Sequence, residues 1–269
     1  MTLPLLGLLI ACGFLSGVMS LAWIVQYKTG NAGWSDAFWS FGLGLAGTVL
    51  ALIPVAGEED PTTRQIVVAV LVAIWGLRLG SHIARRSLKG PEDARYAQLR
   101  KEWGSDFQRR LFIFLQIQAA AGAFLVLSVL AAAQNPDPSF RPQDWLAIAL
   151  LIVAVTGEGI ADRQLRAFAH NSKNKGKVCD TGLWAFSRHP NYFFEWLGWF
   201  AYALFAIDLA GAHVWGWLAL SGPAFMYWLL VHVSGIPPLE AHMLRSRKKA
   251  FAAYQKRVPA FFPRTPSRR

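Results

Sequence analysis

The sequence predicts an all-α polytopic membrane protein of about seven transmembrane helices. Three observations carry that reading. Hydrophobic residues make up 54% of the 269 positions, with 12 Trp and 18 Phe, a composition too apolar and too aromatic for an average soluble domain. The apolar residues fall in blocks long enough to cross a bilayer, which takes about 20 residues each. The charge is also unevenly placed. The net charge is +11, and of 27 Lys and Arg, 8 lie between Arg85 and Arg110, 6 between Arg163 and Arg188, and 9 between Arg245 and Arg269. These are alternate loops plus the tail, so the positive-inside rule puts the N-terminus outside and the C-terminus in the cytoplasm. Residues 1–269 read as one transmembrane domain.

The first span is expected over Leu3–Val25, with Gly13 and Gly17 as a G-x-x-x-G packing pair. The second is expected over Asp36–Ala56, with Ser35 and Asp36 as helix-capping residues and Trp34 and Trp39 at the interface. The acidic loop Gly57–Pro61 fits the outer side. The third span, Gln65–Ala84, holds a second packing pair, Gly76 and Gly80. Arg78, His82 and Arg85 recur on it at helical spacing as one cationic stripe. Snorkelling accounts for Arg85 and Arg86; Arg78, two turns inside, is expected to face a site or an ion partner.

Between Ser87 and Arg110 the chain is too polar to insert. It reads as a surface amphipathic helix or as a lid over a cofactor, which makes Tyr96 a candidate contact. The fourth span, Leu111–Ala133, ends in the turn Gln134-Asn135-Pro136-Asp137-Pro138. The fifth runs from Trp145 to Phe168, with Glu158, Asp162 and Arg166 four apart on one face. Asp162 and Arg166 can pair along the helix, whereas Glu158 lies inside the apolar stretch and needs a partner, for which Arg78 or a ligand amide would serve. The loop that follows carries Lys173, Lys175 and Lys177 as a solvated charge run or an anion site.

The most informative stretch is T-G-L-W-A-F-S-R-H-P-N-Y-F-F-E-W, residues 181–196, which opens a sixth span reaching about Ala212. Pro190 has a fixed φ and no N–H, which suits the first turn of a helix. Asn191 and Glu195 then share one face, with Tyr192 beside them and Tyr202 further along the stripe. A carboxylate and an amide entering such a helix are costly unless something polar meets them. Arg188 and His189 sit at the positive helix end, where an anionic ligand is favoured. A seventh span is expected over Trp215–Ser234, broken by S-G-I-P-P-L-E. The tail then folds back as a helix whose Tyr254, Phe261 and Phe262 pack beneath a nucleotide or lie on lipid headgroups.

The same features narrow the function classes. The six His are isolated and no C-x-x-C occurs, so no metal site is expected. Cys12 and Cys179 fall in different compartments, so no disulfide framework is expected. No nucleic-acid module accompanies the charge; membrane lipid is the expected surface partner. The apolar N-terminus lacks a basic n-region and reads as a retained span. The sequence sets no oligomeric state.

G-L-W-A-F-S-R-H-P-N-Y-F-F-E-W, the upstream D-R-Q-L-R-A-F and the downstream S-G-I-P-P-L-E…Y-Q-K-R-V-P-A-F-F-P together resemble the C-terminal region of the steroid 5-alpha-reductase family, most of all its bacterial membrane-protein branch. The resemblance is clearest over residues 143–263. It implies a seven-helix enzyme of the bacterial inner membrane, holding NADPH in a cytoplasm-facing site and reducing a lipid-like enone. By motif position it implies that Asn191 and Glu195 contact the cofactor and that Asp162 meets its adenosine side. Arg188, Tyr192, His242 and Tyr254 would line the same site. Arg78, Arg85, Tyr96 and Arg166 are further candidate contacts from the residues themselves. Isoprenylcysteine and phospholipid methyltransferases are also similar in R-H-P-x-Y, a late Glu and an aromatic-Pro tail, and imply S-adenosylmethionine instead. The steroid enzymes carry an early Gln-Glu pair that is missing from spans one to three here.

Hydride transfer to an α,β-unsaturated carbonyl builds negative charge on the carbonyl oxygen. A donor aimed at that oxygen lowers the barrier most in a dry site. His82 or a neutral carboxyl such as Glu158 is the donor expected for that role, with Tyr192 and Glu195 completing the catalytic set.

Overall fold

The structure, a computed structural model, describes residues 3–265. The last two arginines of the basic tail lie outside the described residues. Nine α-helices form among the described residues, with no strand. They are α1 Leu3–Thr29, α2 Trp34–Ala51, α3 Thr63–Lys89, α4 Ala94–Trp103, α5 Phe107–Ala133, α6 Pro142–His170, α7 Pro190–Ala206, α8 Ser221–Trp228 and α9 Ile236–Arg257. Five stretches among the described residues are long and apolar enough to cross a membrane: Leu5–Thr29, Thr63–Lys89, Ala94–Ala133, Pro142–His170 and Val214–Arg257. Helix α2 carries Ser35, Asp36 and Ser40 in 18 residues, and α7 has 17 residues. Both fall short of the length or apolarity of the other five.

Two compact units form. Among the described residues, one comprises residues 3–147 and 202–222, the other residues 148–201 and 223–265.

In the first unit, small residues set how closely helices approach. A Cβ on Gly76 would lie 2.8 Å from the Cα of Gly44, and one on Gly80 would lie 2.6 Å from the Phe41 ring. The expected α3 glycine pair is therefore a close contact with α2. Gly13 and Gly17 behave differently. Both are exposed, with nothing within 4 Å of a built Cβ, so the G-x-x-x-G of α1 packs against no described part of the chain.

Polar side chains finish the helix ends. Thr62 and Gln65 form a capping box at the start of α3. The buried Gln65 amide also donates to the carbonyls of Ala51 and Ile53 beyond the end of α2. Gln134 donates to the same Ile53 carbonyl at 2.7 Å. The last carbonyls of α7 are treated likewise. Phe205 O accepts from Asn135 at 3.0 Å and from Arg141 at 2.6 Å, and Gln143 reaches Leu204 O and Ile207 O. The Pro-rich turn of the sequence is thus a polar latch.

At its centre is an ion pair, Arg64 to Asp144 at 3.0 Å, with side-chain exposures of 2% and 0%. Arg64 also donates to the carbonyls of Asn135, Asp137 and Ser139, and Asp144 also receives Arg141. Burying two charges is costly, and the neighbouring bonds make it tolerable. Asp36 does not cap α2. The N-cap is Gly33 with no side-chain bond, and the Asp36 carboxylate accepts from Arg95 at 2.6 Å instead. A carboxylate in the first turn still meets the helix dipole favourably, but an opposite charge within reach outcompetes capping.

Two outcomes follow for stability. Asp144→Asn strands the Arg64 charge, and detergent-phase unfolding should show a loss of about 3–5 kcal/mol. Gly76→Ala should cost about 1–3 kcal/mol by forcing α2 and α3 apart, whereas Gly13→Ala should be neutral or gain about 0.5–1 kcal/mol from helix propensity. Equal effects at the two glycines would contradict the packing described.

Candidate functional site

Asn191 and Asp162 meet in the second unit, where the Asn191 amide donates to the Asp162 carboxylate at 3.4 Å. Two further contacts fix the geometry of their helices. A Cβ on Gly157 would lie 2.5 Å from the Phe194 ring, and one on Gly198 would lie 3.2 Å from Leu151 and 3.3 Å from Ala154. The pairings 162 with 191, 157 with 194 and 154 with 198 run in opposite directions, so α6 and α7 are antiparallel here. Gly157 and Gly198 let them approach, which places their polar residues on a close seam. Glu158, Asp162 and Glu195 are buried at 5%, 6% and 9% exposure. Glu195 accepts from the Trp199 indole at 3.0 Å.

The segment before α7 is held from both sides. Leu183 N donates to the Gln164 side chain at 2.9 Å, and the Trp184 indole donates to Ala161 O at 3.0 Å. On the other side lies the tail. Arg188 N donates to Pro259 O, Arg264 N donates to Phe186 O, and the Ser187 hydroxyl donates to Phe261 O, each at 2.9 Å. The Tyr254 phenol is buried and donates to Trp184 O at 2.5 Å. Phe261 and Phe262 pack with Phe193, Trp196 and Tyr227 in an aromatic cluster. The tail helix is present but starts at Ile236, directly at the expected break. Its prolines occupy the first helical turn, where a missing N–H costs nothing. Gly235 is required there, since a Cβ would collide with Leu230 O.

Arg188 is largely engaged. Its Nε and Nη2 donate to the two oxygens of Glu240 at 2.7 and 3.1 Å, and Nη1 donates to Gln255 O and Val258 O. Four of the five donors of a guanidinium are used in this way. Glu240 also receives Gln255 at 2.7 Å and His189 Nε2 at 2.9 Å. This carboxylate was not among the candidates read from the sequence. Its signal was present, because Glu240 is the lone acidic residue after Asp208 in a strongly basic stretch.

The remaining candidates in this unit lie on α6, α7 and α9. Arg166 is exposed on α6, His242 is half-buried on α9, and Tyr192 is half-buried on the first turn of α7. Exposed Lys173, Lys175 and Lys177 follow α6.

Arg78, His82, Arg85 and Tyr96 belong to the first unit. Arg78 and His82 are half-buried on α3, and Arg85 is exposed. Tyr96 is buried at 2% exposure, and its phenol donates to Asp36 at 2.7 Å. Helix α4 is anchored there. Asp93 caps it through Arg95 N, and pairs with the side chains of Arg95 and Arg86 at 3.0 Å each. Burial pushes the Asp93 carboxyl upward, but the Arg95 and Arg86 charges and the hydrogen bonds from Arg95 outweigh it and hold it at about 2. Tyr202, on the expected stripe of α7, is also buried and clusters with the first unit.

A family model described as a protein of unknown function, DUF1295, matches residues 22–258. The chain belongs to that family. It is similar to an uncharacterised protein of the yeast Schizosaccharomyces pombe, with 25% identity over 280 residues, covering 90% of this chain and 78% of the relative. No solved structure matches the chain.

The Asp93 shift gives an acid signature. A folded-state value of about 2 lies below the usual carboxyl value of about 3.9. The stabilisation is therefore complete above about pH 4 and lost as pH falls toward 2. Thermal melts across that window should show about 2 kcal/mol of acid-sensitive stability that Asp93→Asn lacks, because the amide still caps α4 but does not ionise.

Proposed function

We propose that this member of the DUF1295 family is a membrane-embedded, NADPH-dependent reductase of the C=C bond of an α,β-unsaturated carbonyl lipid. The observation that carries the reading is the polar seam of α6 and α7, where buried Glu158, Asp162 and Glu195 adjoin Asn191 between helices brought close by Gly157 and Gly198. The resemblance of residues 143–263 to the steroid 5-alpha-reductase family supports it.

The donor set fits a dinucleotide. Ribose hydroxyls and a carboxamide donate hydrogen bonds, which Asp162 and Glu195 accept. The Asn191 amide both donates and accepts. Phosphates require cations, and exposed Arg163, Arg166, Lys173 and Lys175 follow Asp162 along the chain. The extra phosphate of NADPH over NADH suits this basic surface. When bound, the nicotinamide supplies the hydride.

Reduction of the enone takes a hydride at the β-carbon and a proton at the α-carbon. In this reading Tyr192 delivers the proton. A neutral Glu158 carboxyl donates a hydrogen bond to the carbonyl oxygen as charge builds there, which is worth most where water is excluded. Asn191 and Glu195 orient the carboxamide. Arg188 holds the segment that leads into α7 and keeps one N–H for the ligand. Helices α2 and α7 complete seven crossings, with the N-terminus outside and the site facing the cytoplasm, in keeping with the basic loops. A bacterial inner membrane is the matching location.

A ligand that binds only the folded state raises its stability, by about 2.7 kcal/mol at a hundredfold excess over Kd. NADPH should raise the melting temperature of the detergent-solubilised protein, and Asn191→Ala and Glu195→Gln should abolish the rise. A rise with S-adenosylmethionine and none with NADPH would replace the reductase by a lipid or isoprenylcysteine-type methyltransferase, which shares the R-H-P-x-Y motif.

A further inference from the structure

His189 touches both the Glu240 carboxylate and the ring of Tyr192, the proposed proton donor, yet takes no part in the proposed reaction. Its ring is buried at 3% exposure. Nε2 lies 2.9 Å from Glu240. The ring stacks on the Tyr192 ring, with centroids 5.5 Å apart and planes within 10°. Nδ1 is buried with no hydrogen-bond partner among the described residues.

The proton positions follow from the neighbours. Glu240 also accepts from Arg188 Nε and Nη2 and from Gln255, so it acts as an ionised, acceptor-only group. The nitrogen facing it must carry a hydrogen, which makes Nε2–H the neutral tautomer and leaves a lone pair on Nδ1. A second proton would put an N–H on Nδ1 in a buried place that offers it no acceptor.

We propose that His189 is a positioning residue, whose neutral ring, pinned by Glu240, holds the Tyr192 ring in one orientation beside Asn191 and Glu195. The proposal rests on the reductase reading for the role of Tyr192. The groups that face the His189 ring are Glu240 from α9, Arg188 from its own segment and Tyr192 from α7. Burial lowers the His189 pKa below its usual value, against the opposing pull of Glu240. The folded state therefore resists the proton that the unfolded chain accepts below about pH 6.5. The stability carried by the neutral ring is complete above that pH and declines as pH falls below it.

Two variants separate the contributions. His189→Gln keeps a donor for Glu240 and removes the stacked ring; His189→Phe keeps a ring and removes the donor. In NADPH-dependent enone reduction, His189→Gln should lower kcat by about 10–100-fold and leave the KM for NADPH within about twofold of wild type. His189→Phe should keep more of kcat. A KM rise with unchanged kcat, or equal kcat losses in both variants, overturns the positioning role.

A spectroscopic arm needs no ligand. In the ¹⁵N-histidine-labelled full chain, the signal lost in His189→Phe should show the Nε2–H tautomer, stay neutral at pH 6.5 and shift on Tyr192→Leu. An Nδ1–H tautomer, a midpoint at or above 6.5, or indifference to Tyr192→Leu refutes the inference. If NADPH neither binds nor turns over, the reductase reading fails alone, while the spectrum still decides whether His189 holds Tyr192.

Discussion

A carboxylate at position 240 organises the second unit. Glu240 receives the guanidinium of Arg188, the imidazole of His189 and the amide of Gln255. Each of these groups would be expensive to bury alone. Together they satisfy one another and join α9 to the segment that begins α7. The tail then gains its path. Backbone bonds to Pro259 and from Arg264, and the Ser187 hydroxyl on Phe261, run it alongside residues 186–188. Tyr254 and the aromatic cluster close over that pairing. A charged network holds the entry to α7, the helix that carries Asn191 and Glu195.

The same rule, that polar groups in an apolar chain find each other, shapes the first unit. There the hub is Arg64 with Asp144, and the groups it satisfies are carbonyls of the turn between α5 and α6. A second network, Asp36 with Arg95 and Tyr96, fixes α4. Tyr96 is a structural anchor in this arrangement. Glycines provide the complementary half of the design. Gly44 and Gly76 in one unit, and Gly157 and Gly198 in the other, remove side-chain volume where helices must approach.

Much of this was legible in the sequence. Apolar blocks located the long helices, and Pro190 marks the start of α7 by chemistry that is local. The grouping of Asp162, Asn191 and Glu195 on a shared seam follows from spacing on two helices once those helices are taken to be neighbours. Other features were not legible. The two G-x-x-x-G pairs look alike as strings, yet Gly76 and Gly80 pack against α2 and Gly13 and Gly17 meet none of the described residues. Asp36 looks like a cap, but an arginine 59 residues away claims it. Arg188 looks like an anion site at a helix start, while most of its donors serve Glu240 and the tail.

The sequence by itself determined the class of the protein. Hydropathy, charge asymmetry, proline and glycine are properties of short windows, and a membrane-type, all-helical chain with a polar knot at residues 187–191 can be read from them directly. Only the tertiary structure decided which polar groups meet. Arg64 and Asp144 are 80 residues apart in the chain, and Arg188 and Glu240 are 52 apart. Such pairings depend on how helices lie against one another, and an ion or an amide buried there takes whichever partner the packing brings within about 3 Å.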